Sequence, residues 1–358
     1  MTATETMGVL AGPAEDPCLE RMSQSANPTL SVLMSVYNDA PFVAQSIDSI
    51  LAQEDVDLEF VIVDDAGTDG SSAILSGYAD PRITLIRHKV NQGLVASLNH
   101  GLRHCRGKYI ARQDGDDISE PSRLRKQVEY LERNTGIAYA GAGITVIDEN
   151  GNRGKTHLYP ESSSELHACF QRWENPLPHS TLIFRSEALA AVDGYDELFR
   201  MTEDHDLHLR LMARFSAGCI PEALVQYRIR ENSKQFSDPS GDHLKYLIFA
   251  HARQTAVERY GPLDRAKQLA LLSGVDAWFH AANLGKRWKA CVMGHWAVAR
   301  FRQGRLWQSA VQLSRSIAQD PRFLLNRIVF RQRHILDAAE HKELDAVIDK
   351  TLAGVHSH

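Results

Sequence analysis

A chain of 358 residues, 43% hydrophobic and 24% charged, has the composition of a globular protein of about two domains, at ~100–200 residues per domain. Its net charge of −5 argues against general nucleic-acid binding, and five scattered cysteines with no CxxC pair argue against a disulfide framework or a zinc site. No apolar run approaches the ~18–20 residues needed to span a bilayer.

Residues 1–28 mix Thr, Ala, Glu, Ser, Gly and Pro and are expected to form a poorly ordered arm, without the basic start and apolar core of a secretory signal. Leu30 to Val36 reads as a buried strand. Pro41 to Gln53 reads as a helix with Asp39 as its cap. A strand at Phe60 to Val63 ends on Asp64-Asp65, and a helix follows at Ser71 to Tyr78. Then come a strand at Ile83 to Ile86, a helix at Leu94 to His104 and a strand at Tyr109 to Ala111. This alternation predicts an α/β fold, a mostly parallel sheet with helices on both faces. Pro121 to Arg133 reads as an amphipathic helix with Pro in its first turn. Ile137 to Ile147 reads as a strand, Asn150-Gly151-Asn152 as a turn and Ser180 to Phe184 as a strand. Asp204 to Ala213 reads as a helix and Leu224 to Ile229 as the last strand. Past Ser237 the period is helical, with candidate helices at 242–260, 263–284, 287–302, 306–319, 321–334 and 335–352. The expected domains are therefore an α/β unit over 29–237, with halves meeting near 120, and an all-helical region over 238–358.

The chemistry concentrates at strand ends. Asp114, Asp116 and Asp117 crowd three carboxylates into four residues directly after a buried strand, and turn or cap roles hardly absorb all three. Such a group repels itself unless a cation sits on it, and Mn²⁺ or Mg²⁺ take oxygen ligands together with substrate phosphates. Arg112 precedes the group and can hold one carboxylate or meet a phosphate. Asp64-Asp65 can bond a base or ribose, or simply form a Gly/Asp turn. Gly93, in Asn91-Gln92-Gly93, can bring backbone amides to phosphate at a helix start, or serve as a plain cap. Glu203-Asp204-His205-Asp206 opens a helix, where acidic residues complement the dipole; a general base is the functional alternative. His179 reads as a structural histidine or as a substrate contact.

Taken together these pieces resemble family 2 glycosyltransferases with the GT-A fold, over roughly Leu30 to Arg230. The resemblance rests on an ordered series: Ser31-Val32-Leu33-Met34-Ser35-Val36-Tyr37-Asn38; Val63-Asp64-Asp65 with Gly67-Thr68-Asp69-Gly70; Asn91-Gln92-Gly93-Leu94 with Asn99 and Gly101; Ala111-Arg112-Gln113-Asp114-Gly115-Asp116-Asp117, similar to a DxD metal motif; and Asp193-Gly194-Tyr195-Asp196 followed by Glu203-Asp204-His205-Asp206-Leu207. It implies a Rossmann-like GT-A domain that transfers a sugar, with inversion, from a nucleotide-sugar donor (UDP favoured) to a saccharide or lipid-linked acceptor, in bacterial polysaccharide or glycolipid synthesis. It implies that Ser35, Tyr37 and Asp65 line the nucleoside pocket, with Gly93, Asn99 and Arg112 also on the donor side. Asp114 would touch the ribose or sugar, Asp116 would hold Mn or Mg, and Asp204 would be the catalytic base. His179, Glu203, Arg228 and Arg230 are the candidate acceptor or diphosphate contacts.

Departures from the family pattern are specific. Ala66 stands where Gly is usual and Gly67 where Ser is usual. Arg230 stands where many relatives carry a His; a guanidinium meets phosphate but ligates no metal. The absence of a QxxRW motif argues against a processive synthase.

Between 286 and 334 eleven Lys and Arg face one acidic residue, Asp320, with Trp288, Trp296 and Trp307 interspersed. This stretch reads either as a helical appendage with a solvated basic face or as a contact to an anionic membrane. The expected location is cytoplasmic, with that stretch as the candidate contact to the inner face. Three other enzyme classes fit less well. A nucleotidyltransferase would open with a Gly-rich loop where Tyr37-Asn38-Asp39-Ala40 stands. A haloacid-type phosphatase would need Asp at Ala66, and a dinucleotide dehydrogenase needs GxGxxG after the first strand. A non-catalytic sugar-nucleotide-binding or scaffold protein shares every feature of the fold.

Overall fold

The computed structural model describes residues 27–199, 201–230, 242–282, 284–285, 336 and 338–355. In chain order its elements are β1 (Leu30–Val36), α1 (Val43–Leu51), β2 (Leu58–Asp64), α2 (Ser71–Ser76), β3 (Ile83–Arg87), α3 (Leu94–Leu102), β4 (Tyr109–Asp114), β5 (Ile118–Ser119), α4 (Arg123–Arg133), β6 (Ile137–Ile147) and β7 (Arg153–His157). They continue with α5 (Ser163–Gln171), a 3₁₀ turn (His179–Thr181), β8 (Ile183–Arg185), α6 (Ser186–Ala191), α7 (Glu203–Met212), β9 (Ser216–Arg228), α8 (Asp242–Tyr260), α9 (Arg265–Ala281) and α10 (Ala338–Val355).

The side-chain alternation of β1 builds two cores. Val32 and Met34 pack with Phe60 and Ile62 of β2 beneath α1 and α4, while Leu33 packs with Val61 and Ile110 beneath α3. Burial on both faces explains why β1 and β2 read as continuous apolar runs. One nine-stranded sheet results, in the order β3-β2-β1-β4-β8-β6-β9-β5, with β7 on β6. The first four strands are parallel; β8 runs antiparallel to both β4 and β6. This is the mostly parallel, helix-flanked GT-A-type sheet expected from the sequence.

Register places the chemistry. Ser35 pairs with Asp114, Val36 with Asp64 and Asp64 with Arg87, so the carboxyl ends of β1 to β4 form one row. Ligands bind outside such ends in open α/β sheets. A third core joins the α/β part to the helical part: Phe199 packs with Ile248 and Phe249 of α8, Val275 and Phe279 of α9, and Ile348 and Leu352 of α10.

Several local expectations are corrected. Asp39 does not cap α1 with its side chain. Phe42 is the N-cap residue, and Asp39 contributes its carbonyl, which accepts the N–H groups of Phe42 and Val43 at 2.9 Å. The strand placed at Ser180 to Phe184 begins as the 3₁₀ turn, because the Pro178 carbonyl accepts both the Thr181 N–H and its hydroxyl. β9 runs thirteen residues rather than six: Gly218 pairs in register with Ala140, and the strand crosses Pro221 by a register shift against β6. Helix α5 has no counterpart among the expected helices, although Ser162 and Glu165 have capping-box spacing: Ser162 Oγ accepts the Glu165 N–H at 3.3 Å and donates to Glu165 Oε2 at 2.5 Å. The candidate helices between 287 and 334, the boundary at 237–241, most of the N-terminal arm and the basic stretch 286–334 lie outside the described residues. Among the described residues no helix is long and apolar enough to cross a membrane.

Candidate active site

On the donor side, Asp65 directly follows β2 and is buried. Its Oδ1 accepts the Gln92 N–H at 2.8 Å and faces His88 Nδ1 at 2.7 Å, and its Oδ2 accepts the Gly93 N–H at 2.9 Å. The carboxylate thus holds the Asn91-Gln92-Gly93 loop onto the strand end, and Gly93 turns there with φ +89° before α3 begins. His88 continues the contact to His100, Nε2 to Nδ1 at 2.8 Å. Ser35 lies nearly buried beside Asp114, and Tyr37 stands open at the mouth with 39% exposure. Ala66 adopts φ +58°, a left-handed conformation that costs an L-residue about 1–2 kcal/mol. A Gly there would adopt the same backbone without that cost.

Asn99 faces the other way. Its amide closes a two-bond clamp on the Tyr195 backbone, donating to the carbonyl at 2.7 Å and accepting the N–H at 3.0 Å. Tyr195 Oη meets His179 Nε2 at 2.6 Å. Burial, and next the charge of Arg112, hold the His179 imidazole neutral, its pKa well below the usual value.

The acidic group sits among arginines. Buried Arg112 donates Nη2 to Asp114 Oδ1 at 2.6 Å. Arg230 lies between Asp39 and Asp116, with Nη1 at 2.9 Å from Asp39 Oδ1 and Nε at 2.7 Å from Asp116 Oδ2. Gly115 lies close against Asp39: a Cβ there would stand 2.9 Å from Asp39 Oδ2, so that carboxylate would have to shift. Arg228 is spent on the fold. Its guanidinium donates to the carbonyls of Asp116 and Asp148 and to Gln45 Oε1, its N–H donates to Asp117 Oδ1, and it stacks on Phe42. Below the group, buried Arg123 donates to Gln113 Oε1, Ser119 Oγ, Gln127 Oε1 and the Arg112 carbonyl, and burial lowers its pKa to about 9.

Burial, aided by Asp114 and Asp39 and opposed by Arg230, raises Asp116 to about 7. Burial, and then the charges of Asp116 and Asp114, raise Asp117 well above the usual carboxylate range, and its Oδ2 is buried without a hydrogen-bond partner. Such oxygen donors suit a hard divalent cation. Among the described residues no three acidic, His or Cys side chains converge as a metal cage. An ion held through one or two carboxylates, with donor phosphates and water completing its shell, fits what is present.

On the opposite side, α7 opens with Glu203 and Asp204. Asp204 Oδ2 accepts from Asn175 Nδ2 at 2.8 Å, and its Oδ1 accepts the His205 N–H at 2.7 Å. Burial raises the Asp204 pKa, with a further upward contribution from the Asp114 charge. Burial and the neighbouring Asp204 raise Glu203 to about 8. With its pKa near 8, Glu203 is held mostly protonated at neutral pH beside Asp204. Helix α7 is tied down behind Asp204: Asp206 pairs with Arg210 at 2.8 Å and with Arg253 of α8, which also reaches Asp196 at 2.7 Å.

The row thus brings together Ser35, Tyr37, Asp65, Gly93, Arg112, Asp114, Asp116 and Arg230, with His179, Glu203 and Asp204 opposite. Asn99 and Arg228 serve the scaffold. Asp39, Arg123 and Asn175 were not singled out as site residues in the sequence: Asp39 reads as a helix cap, and the other two lie outside every strand-end motif.

Residues 31–193 match the sequence model of the family described as Glycosyl transferase family 2. The chain is similar to a putative glycosyltransferase, EpsE, of Bacillus subtilis, at 41% identity over 218 residues, 59% of this chain and 76% of that one. It is also similar to the O-antigen biosynthesis glycosyltransferase WbnJ of Escherichia coli, at 34% identity over 214 residues, 58% of this chain and 82% of that one. Among solved structures, Staphylococcus aureus TarS 1–349 in complex with UDP-GlcNAc shares the fold, with TM-score 0.56 and 17% identity over 86% of this chain and 92% of that one. With its strand-end row, its helix-flanked sheet and these relatives, the chain belongs to glycosyl transferase family 2 and is a glycosyltransferase of the GT-A fold.

Proposed function

We propose that the protein transfers a sugar, with inversion, from a nucleoside-diphosphate donor to a hydroxyl of a saccharide or lipid-linked acceptor in bacterial cell-surface polysaccharide or glycolipid synthesis. The observation that supports this reading is the placement of Asp114 and Asp116, each held by an arginine, at the strand-end row, together with Asp204, held by Asn175, at the start of α7. The biosynthetic context is drawn from relatives such as the O-antigen enzyme.

In this reading Tyr37 and Ser35 line the nucleoside pocket, and Asp65 shapes it by holding the Gln92–Gly93 loop. Arg112 fixes Asp114. Asp116 would hold a divalent ion, with Asp114 on the ribose or sugar side, and the ion would supply Lewis-acid stabilisation for the leaving diphosphate. Arg230 brings a second positive charge, and Asp39 gives it a partner when Asp116 is engaged elsewhere. The acceptor oxygen bonds the anomeric carbon, the bond from that carbon to the diphosphate oxygen breaks, and Asp204 takes the acceptor's proton. UDP is favoured as the donor base because it is the commonest in the family. The basic stretch 286–334 would bring the enzyme to a lipid-linked acceptor; equal sedimentation with neutral and anionic vesicles would remove that part.

The test is a thermal-shift screen of UDP-, GDP- and dTDP-sugars with and without Mn²⁺, since a ligand of the native state raises Tm by mass action. One nucleotide series should stabilise the protein, more strongly with the metal. No shift with any of them would count against the reading.

A further inference from the structure

We infer that Asn175 is a positioning residue for Asp204, and that helix α8, which lies beyond the family match at 31–193, sets it through a ring stack between His251 and Trp173. This rests on the reading of Asp204 as the base.

The Asn175 side chain is oriented at both ends. Its Oδ1 accepts the Leu177 N–H at 3.1 Å, which only a carbonyl oxygen can do, so its NH₂ group must point to Asp204 Oδ2, 2.8 Å away. Leu177 is fully buried in the sheet-side core and gives the amide a fixed anchor. Asn175 itself is exposed, so this bond is not forced by surrounding packing.

Two residues earlier, Trp173 has φ +65°. It follows the C-cap of α5, Arg172, and the turn closes with the Trp173 N–H on the Phe170 carbonyl at 2.8 Å and the Glu174 N–H on the Cys169 carbonyl at 3.0 Å. This is the position where helices usually place Gly, because left-handed backbone disfavours a Cβ. A strained position persists only where surrounding contacts hold it. Here the indole lies flat on the His251 imidazole, with centroids 4.3 Å apart and planes within 4°. His251 also meets His205 Nε2 to Nε2 at 2.9 Å, and Arg253, two residues on, grips Asp206. Helix α8 therefore holds the Trp173–Asn175 segment from one side and the start of α7 from the other, with Asp204 between them.

A carboxylate misplaced by about 1 Å can lose about 10²-fold in rate. The expected result for Asn175→Ala is a kcat about 10–100-fold lower with donor KM within about twofold and Tm unchanged, because the residue is exposed. His251→Ala and Trp173→Gly should lower kcat by a similar factor; Trp173→Gly relieves the backbone and so guards against a simple folding failure. His251→Phe keeps a ring against Trp173 and should restore most of kcat. Residues acting through one chain are non-additive, so Asn175→Ala combined with His251→Ala should be no slower than either alone. Wild-type kcat in Asn175→Ala, a His251→Phe as slow as His251→Ala, or additive losses in the double variant would each overturn the inference. Asp204→Asn, run alongside, separates the two readings. If it retains turnover, the base assignment falls; if it abolishes turnover while Asn175→Ala does not slow, only this inference falls.

Discussion

The two sides of the site are built by different means. The donor side is made by register: four parallel strands end together, and Ser35, Asp64 and Asp114 come into one row through backbone pairing alone. The acceptor side is made by side chains that reach across long sequence distances, such as Asn175 to Asp204 and Arg253 to Asp206. The lesson is that donor chemistry can be carried by short motifs, whereas the base depends on a distributed frame that includes the helical region.

If that contrast is right, the two sides should fail differently. The largest effect is expected from Asp204→Asn. Loss of a positioned base typically costs about 10²–10⁴ in rate, so steady-state turnover should fall in that range with donor KM nearly unchanged. A parallel rise in donor KM would blur the contrast.

Next comes the support beneath the acidic group. Arg123 is a fully buried cation whose partners include Gln113, Ser119 and Gln127. Arg123→Met leaves those acceptors unpaired in the interior, and removing one partner of a buried charged network commonly costs about 3–5 kcal/mol. Chemical denaturation should register a loss of that order, and a loss below about 1 kcal/mol would show that the donor row does not lean on Arg123.

Glu203 sharpens the acceptor side through pH. Its carboxyl is ordinarily half-ionised near 4.5 and is raised to about 8 in the fold by burial and by Asp204. Between those values the unfolded chain is ionised while the folded chain stays protonated, so this group removes stability as pH rises through the window. Gln cannot ionise. The Tm of Glu203→Gln relative to the parent should therefore climb from pH 5 to pH 9, by several degrees, since each kcal/mol is worth about 2–4 °C in a protein of this size. A flat difference across that range would place Glu203 in water rather than in the site.

The same contrast explains what the sequence let one read. The strands β1 to β4 and their acidic ends were legible because parallel strands buried on both faces leave continuous apolar runs punctuated by Asp and Gly. The motif residues were legible as positions, but not always as roles. Both Asp65 oxygens are engaged, by Gln92, Gly93 and His88, and Asn99 is occupied by Tyr195, which no spacing announces. Asp39 read as a helix cap because it stands before a helix; its pairing with Arg230 spans 191 positions and leaves no local signal. Trp173 and Asn175 sit in a loop without periodicity, so only their contacts reveal them. β9 extends beyond Leu224 to Ile229 because Gly218 pairs in register with Ala140 of β6 and a register shift takes the strand past Pro221, a pairing that no local signal announces.

The division itself is tested most directly by calorimetric titration of the stabilising nucleotide sugar, with Mn²⁺ present, into Asp116→Asn and Asp204→Asn. The account predicts that Asp204→Asn binds within about twofold of the parent, whereas Asp116→Asn binds at least about tenfold more weakly, a difference of ~1.4 kcal/mol. Equal affinity in the two variants would contradict the separation of a donor side from an acceptor side on which the account stands.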